Sequence, residues 1–83
     1  MTNHSLKSAF GQAVREHRHA LHLSQEKLGQ RAALHRTYIA DIERGARNPS
    51  LETISRIAGG LEVPMTTLFE TVKSMSVNER LSA

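Results

Sequence analysis

Apolar residues recur along the chain at steps of three and four, and no stretch keeps the alternation of a half-buried strand. The pattern predicts an all-α chain of five short helices. In the first, roughly residues 6–21, Phe10, Val14, His17 and Leu21 fall on one face at steps of four, three and four. Ser24 then offers an N-cap to QEKLGQRA, in which Leu28 and Ala32 point inward. A break at Ala33-Leu34 leads to HRTYIADIERG, with Ile39 and Ile42 as the inward pair and Gly45 as the stop. ARNPS is a loop. Ser50 caps a fourth helix, roughly 51–59, that buries Leu51, Ile54, Ile57 and Ala58 and ends at Gly59-Gly60. Pro64 opens a last helix carrying Met65, Leu68, Phe69, Val72 and Met75. Residues 1–7 form an arm and the start of helix one, 8–73 the domain, and 74–83 a flexible tail, with SVNERLSA frayed.

Helices two and three are separated by about three residues. A turn that short forces a large crossing angle, as in a helix-turn-helix. The second helix then stands free to enter a major groove. Its residue types suit that task. Arg36 presents a planar fork that can bond guanine O6 and N7 together, and Thr37 offers a hydroxyl and a methyl. Ala40 is small enough for close approach. Asp41 either accepts from a cytosine amine or pairs with Arg44 at i+3. Tyr38 either packs its ring on the core with its hydroxyl in water, or meets a phosphate or sugar edge. Arg44, Arg47 and Asn48 cluster beyond the helix end, where phosphates run.

Composition narrows the alternatives. The chain has 83 residues, 39% of them hydrophobic and 23% charged, which fits one ordered soluble domain with little room for an enclosed active-site cavity. Without cysteine there is no disulfide framework and no thiolate zinc site. No apolar run reaches the length of a membrane span, and MTNHSLKSAF lacks a signal peptide's apolar stretch, so a cytoplasmic setting is expected. Residues 1–56 carry a net charge of +4 and residues 57–83 a net −1. A basic front of this kind suits nucleic acid or an anionic membrane surface. Five histidines raise the question of a metal. His17 lies on the apolar stripe, and His19 and His22 have no carboxylate or thiol to complete a site, so no metal or other cofactor is expected. Glu16 and His17 are adjacent on a helix and diverge by about 100°, so they cannot share a substrate atom. No phosphate loop, nucleophile elbow or HExxH occurs, and the chain is not expected to be an enzyme.

LSQEKLGQRA, RTYIADIERG and RNPSLETI together resemble the helix-turn-helix domain of the Xre/Cro regulator family, most of all restriction–modification controller proteins and small phage-type repressors. The likeness covers roughly residues 8–72. It implies a compact five-helix, lambda-repressor-like DNA-binding domain. It also implies a transcriptional regulator that binds an inverted-repeat operator in double-stranded DNA as a homodimer, with RNA polymerase as a further contact and the nucleoid as its place. Carried over residue by residue, it assigns base reading to Arg36, Thr37, Tyr38 and Asp41, and phosphate contact to Gln25, Arg44, Arg47 and Asn48. Gln25 would also brace the start of the recognition helix. Arg18 and Glu43 match a buried ion pair tying helix one to the end of helix three. The apolar stripe of the last helix exceeds what the core can cover, so Leu68 turns inward while Met65, Phe69, Val72 and Met75 contribute to a dimer interface.

Four residues depart from the pattern: Ala33 and His22 stand where glycine is usual, His35 is a poor N-cap, and Pro64 replaces a cap. Two rival roles use the same domain. An antitoxin would need a tail longer than residues 76–83 to wrap its toxin. A protein-interaction module without DNA binding would have lost Arg36, Arg44 and Arg47.

Overall fold

In a computed structural model of the chain, the backbone is described for residues 2–82 and side chains for residues 6–75. Five helices follow one another: α1 (Thr2–Ala20), α2 (Gln25–Ala32), α3 (Arg36–Glu43), α4 (Leu51–Leu61) and α5 (Met65–Ser82). No strand occurs among the described residues. The all-α helix-turn-helix architecture expected from the periodicity is the one found.

Each helix contributes its apolar stripe to one core. Phe10, Ala13 and Val14 come from α1, Leu28 and Ala32 from α2, and Ile39 and Ile42 from α3. Ile57, Ala58 and Leu61 of α4 and Leu68 and Val72 of α5 complete it. Side-chain caps set the helix starts. The Ser24 hydroxyl accepts from the Lys27 amide at 3.0 Å, and the Ser50 hydroxyl from the Thr53 amide at 3.1 Å. His35 does cap α3: its Nδ1 accepts from the Thr37 amide at 3.1 Å. Helix ends use left-handed residues. His22, Ala33 and Glu62 have φ of 58°, 59° and 63°, and each costs about 1–2 kcal/mol relative to a right-handed residue. At Ala33 the turn is so tight that the Leu34 amide bonds back to the Gly29 carbonyl at 2.8 Å.

Five expectations from the spacing are corrected. Helix one starts at Thr2, so most of the arm assigned to residues 1–7 is helical, and it ends at Ala20. Leu21 therefore lies past the helix end, in the turn closed by His22, and is exposed. Leu51 follows the Ser50 cap, where the first turn faces solvent, and is 69% exposed. Helix α4 passes through Gly59-Gly60 to Leu61 because Gly60 faces α2: a Cβ there would stand 3.0 Å from Leu28 Cδ1 and 3.3 Å from the Ala32 nitrogen. The boundary drawn at residue 73 falls inside α5, which continues to Ser82. The side chains of the segment read as frayed, 76–83, lie outside the described residues.

Two seams fix the orientation of α3. On one, α1 crosses the end of α3 with Gly11 at the crossing. A Cβ on Gly11 would overlap the carbonyl oxygen of Ile42 and come within 2.8 Å of that of Glu43. One turn away Gly45, at φ 76°, rests against Ser8. On the other, α2 packs on α4, and Arg31 bonds the Gly60 carbonyl and the Glu62 carboxylate at 3.2 Å each. The chain's two long helices meet through Phe10 and Phe69, whose ring centroids are 6.4 Å apart. His17 joins them: its Nε2 lies 3.0 Å from the Thr71 hydroxyl, which donates to the Thr67 carbonyl.

Candidate nucleic-acid interface

The helical period places Ile39 and Ile42 of α3 in the core and turns Arg36, Thr37, Ala40, Asp41 and Arg44 the other way. Arg36 and Thr37 are exposed at its N-terminal end, and half-buried Ala40 leaves a shallow floor between them and Asp41. Ser24, Gln25 and Glu26 at the start of α2 form the opposite wall of this open groove. Arg44, Arg47 and Asn48 follow α3 and are all exposed. The structure thus brings Gln25, Arg36, Thr37, Asp41 and Arg44 around one groove, with Arg47 bonded to Asp41; Tyr38 packs against the core and Asn48 borders a second groove, beside Leu6 and Phe69.

Of the two readings left open for Asp41, the ion pair is present. Its carboxylate accepts from Arg44 and, at 3.4 Å, from Arg47. The Arg44 hydrogen bond is the main cause that holds the Asp41 carboxyl below the usual carboxylate range; desolvation opposes it, and the Arg47 bond adds to it. Tyr38 is half-buried against the core, and the Arg47 guanidinium lies over its ring, 4.6 Å from the centroid. Arg47 is therefore held between a ring and a carboxylate.

Arg18 is buried, 8% exposed, and forms the expected pair with Glu43. Its Nε and Nη2 donate to the two carboxylate oxygens at 2.6 and 2.9 Å, and its Nη1 donates to the Leu23 carbonyl at 2.8 Å. The bond to Glu43 raises the Arg18 pKa further above its already high value. Gln25 Nε2 donates to the same carboxylate at 3.0 Å. Its brace thus runs to the last residue of α3, not to the first turn. Sequence reasoning missed this bond, because nothing local relates positions 25 and 43.

The interface stripe is only partly where the spacing put it. Leu68 is buried as expected, but so is Val72, 5% exposed, because α1 and α4 close over it with Phe10 and Ile57 in the same cluster. Val72 is therefore removed from the partner-facing set. Met65 and Met75 are half-buried against the core. Phe69 remains 43% exposed, and Leu6, which sequence reasoning missed, is 57% exposed. These two flank a shallow groove shared with Lys7, Pro49 and Ile54. Leu6 stands four residues before Phe10, inside the helix read from residue 6, so its place on the apolar face was available from the spacing. Among the described residues, no group of three metal-ligating side chains forms and no helix is long and apolar enough to cross a membrane.

Comparison with known proteins agrees with this geometry. The helix-turn-helix family model matches residues 14–68. Control protein C.BamHI of Bacillus amyloliquefaciens is 48% identical over 71 residues, spanning 84% of this chain and 86% of that protein. Control protein C.SmaI of Serratia marcescens is 38% identical over 63 residues, 76% of this chain and 75% of that one. The crystal structure of the restriction–modification controller protein C.AhdI from Aeromonas hydrophila matches with a TM-score of 0.75 at 43% identity, covering 76% of this chain and 96% of that one. The chain belongs to the helix-turn-helix family of DNA-binding transcriptional regulators, a family of regulators and not of enzymes, and within it to the controller and repressor type.

Proposed function

We infer that the protein recognises an inverted-repeat operator in double-stranded DNA as a homodimer, with α3 in the major groove of each half-site. The observation that carries this reading is the outward face of α3. Arg36 and Thr37 stand exposed at its start, Ala40 leaves room for a base pair, and a cationic cluster of Arg44 and Arg47 follows its end. Arg36 and Thr37 read base edges. Arg44, Arg47, Asn48 and the exposed start of α2 hold phosphates. Gln25, whose amide is already engaged by Glu43, acts there by fixing α2 against α3. Such a protein works on the nucleoid, and its site's position relative to a promoter decides whether it blocks or contacts RNA polymerase.

The test separates reading from holding. Arg36→Ala is expected to cost about 1–3 kcal/mol and relax preference at one base pair per half-site. Arg47→Ala is expected to weaken operator and scrambled duplexes alike and to flatten the log-affinity versus log-salt slope by about one unit per bound copy. If Arg36→Ala weakens both duplexes equally, Arg36 is a phosphate clamp and base reading passes to Thr37 and its neighbours.

Two recognition helices meet successive major grooves on one face of DNA when half-sites lie about 10 base pairs apart. Exposed Leu6 and Phe69, beside half-buried Met65 and Met75, support a self-complementary apolar patch for that pairing. Phe69→Asp is expected to give monomers in sedimentation and to weaken operator binding sharply, since a charge in an apolar contact loses water without gaining a partner. A wild-type protein that sediments as a monomer at about 50 μM contradicts the dimer.

A further inference from the structure

Asp41 lies in the middle of the face that would meet DNA, and its charge is the wrong sign for phosphate. Its side chain is 19% exposed, while those of its partners Arg44 and Arg47 are 67% and 52% exposed. Exposed pairs of this kind add little to folding. Asp41 touches no second structural element through them: Arg44 caps its own helix and Arg47 is in the following loop. Its effect is on the availability of two guanidinium groups. Arg47 is held on a second side as well, by the Tyr38 ring.

We propose that Asp41 sets the specificity of the DNA-binding face by acting as an internal counter-ion for Arg44 and Arg47, which a duplex offering phosphates alone must displace. This rests on the DNA-binding reading above and adds a role for one residue within it. Affinity for arbitrary DNA comes from cationic groups that neutralise phosphates and release counter-ions. A carboxylate already seated on two of those cations lowers that gain on every sequence by the same amount. Displacing it also leaves a carboxylate facing the groove. A cytosine N4 amine can satisfy that carboxylate, and an acceptor edge cannot. The wrong duplex is thus rejected by an unpaired charge, which is how discrimination arises without stronger attraction to the right one.

The probes are a duplex enriched from a random-sequence library by the wild-type protein and a scrambled duplex of the same composition, each titrated with sodium chloride. Asp41→Asn keeps the shape and removes the charge. It is expected to bind the scrambled duplex about tenfold more tightly at 0.1 M salt and to steepen the salt slope by about one, the signature of one additional phosphate contact. The ratio of affinities for the enriched and scrambled duplexes falls about tenfold, while the denaturation midpoint stays at the wild-type value. Asp41→Glu, which keeps the charge, retains the wild-type slope. If Asp41→Asn leaves scrambled binding and slope unchanged, the arginines are not restrained and the proposal is wrong. If it weakens both duplexes, Asp41 pre-orders the arginines for binding, which also overturns it. Either outcome leaves the DNA-binding reading standing. A wild-type protein with no salt-dependent affinity for either duplex overturns both.

Discussion

Arg18→Met is expected to lower folding stability by about 3–5 kcal/mol, although methionine fits the apolar stem of the replaced side chain. The cost comes from what is left behind. Glu43, whose side chain is 4% exposed, would keep its charge with only the Gln25 amide as a partner. The Leu23 carbonyl would lose its bond from Nη1 as well. Glu43→Gln strands Arg18 in the same way, with its guanidinium still committed to Leu23. Because each single change removes the same interaction, the double variant should cost clearly less than the two losses added together. Urea denaturation measures all three, with an unchanged slope showing that only stability has moved. An Arg18→Met midpoint equal to wild type would show that the pair contributes nothing to holding α1 on α3.

Gly11→Val is expected to cost about 3 kcal/mol or more, for a different reason. The atoms that a side chain at Gly11 would meet are the backbone carbonyl oxygens of Ile42 and Glu43. A backbone cannot rotate away as a side chain can, so α1 and α3 must separate. Separation would also stretch the Arg18–Glu43 bonds, about two turns further along the same face of α1. The control is Gly59, another helical glycine, around which a Cβ would find nothing within 4 Å. Gly59→Ala should gain about 0.5–1 kcal/mol by restricting the unfolded chain. The pair of thermal melts distinguishes a crowded glycine from a merely flexible one. If Gly11→Val melts close to Gly59→Ala, the crossing has room and the close approach is not a constraint. A folded remnant of Gly11→Val should also bind operator poorly, since α3 would be presented at another angle.

What could be learned from the chain before its fold was known divides along a physical line. Features encoded within four residues were legible. The Ser24 and Ser50 caps, the inward Ile39 and Ile42 and the break at Ala33 all follow from local spacing and backbone preference. The outward set of α3 follows from the same period, which is why Arg36, Thr37 and Asp41 could be named together. Features that need a second helix were not. Gly11 reads as an indifferent helical residue until the end of α3 is laid across it. Gly60 reads as a stop until Leu28 fills the space beside it. Val72 reads as surplus apolar surface until Phe10 of α1 and Ile57 of α4 are brought into one cluster with it. Arg18 and Glu43 form an exception, since the family resemblance supplied the pairing that spacing alone could not. Leu51 erred in the other direction: an apolar residue directly after a cap is carried by the helix, not by the core.

The two faces of α3 carry separate obligations. The core takes Ile39 and Ile42 from it, and Glu43 at its end is bound to Arg18. Arg36, Thr37, Ala40, Asp41 and Arg44 belong to none of this. Exchanging surface side chains of that kind shifts stability by about 0.5 kcal/mol or less. A lineage carrying this scaffold can therefore acquire a new DNA address by point substitution, passing through intermediates that all fold. The inherited frame of Gly11, Arg18 and Glu43 meanwhile keeps presenting each new address at the same angle, so that one architecture can be moved between regulatory circuits with only a few letters rewritten.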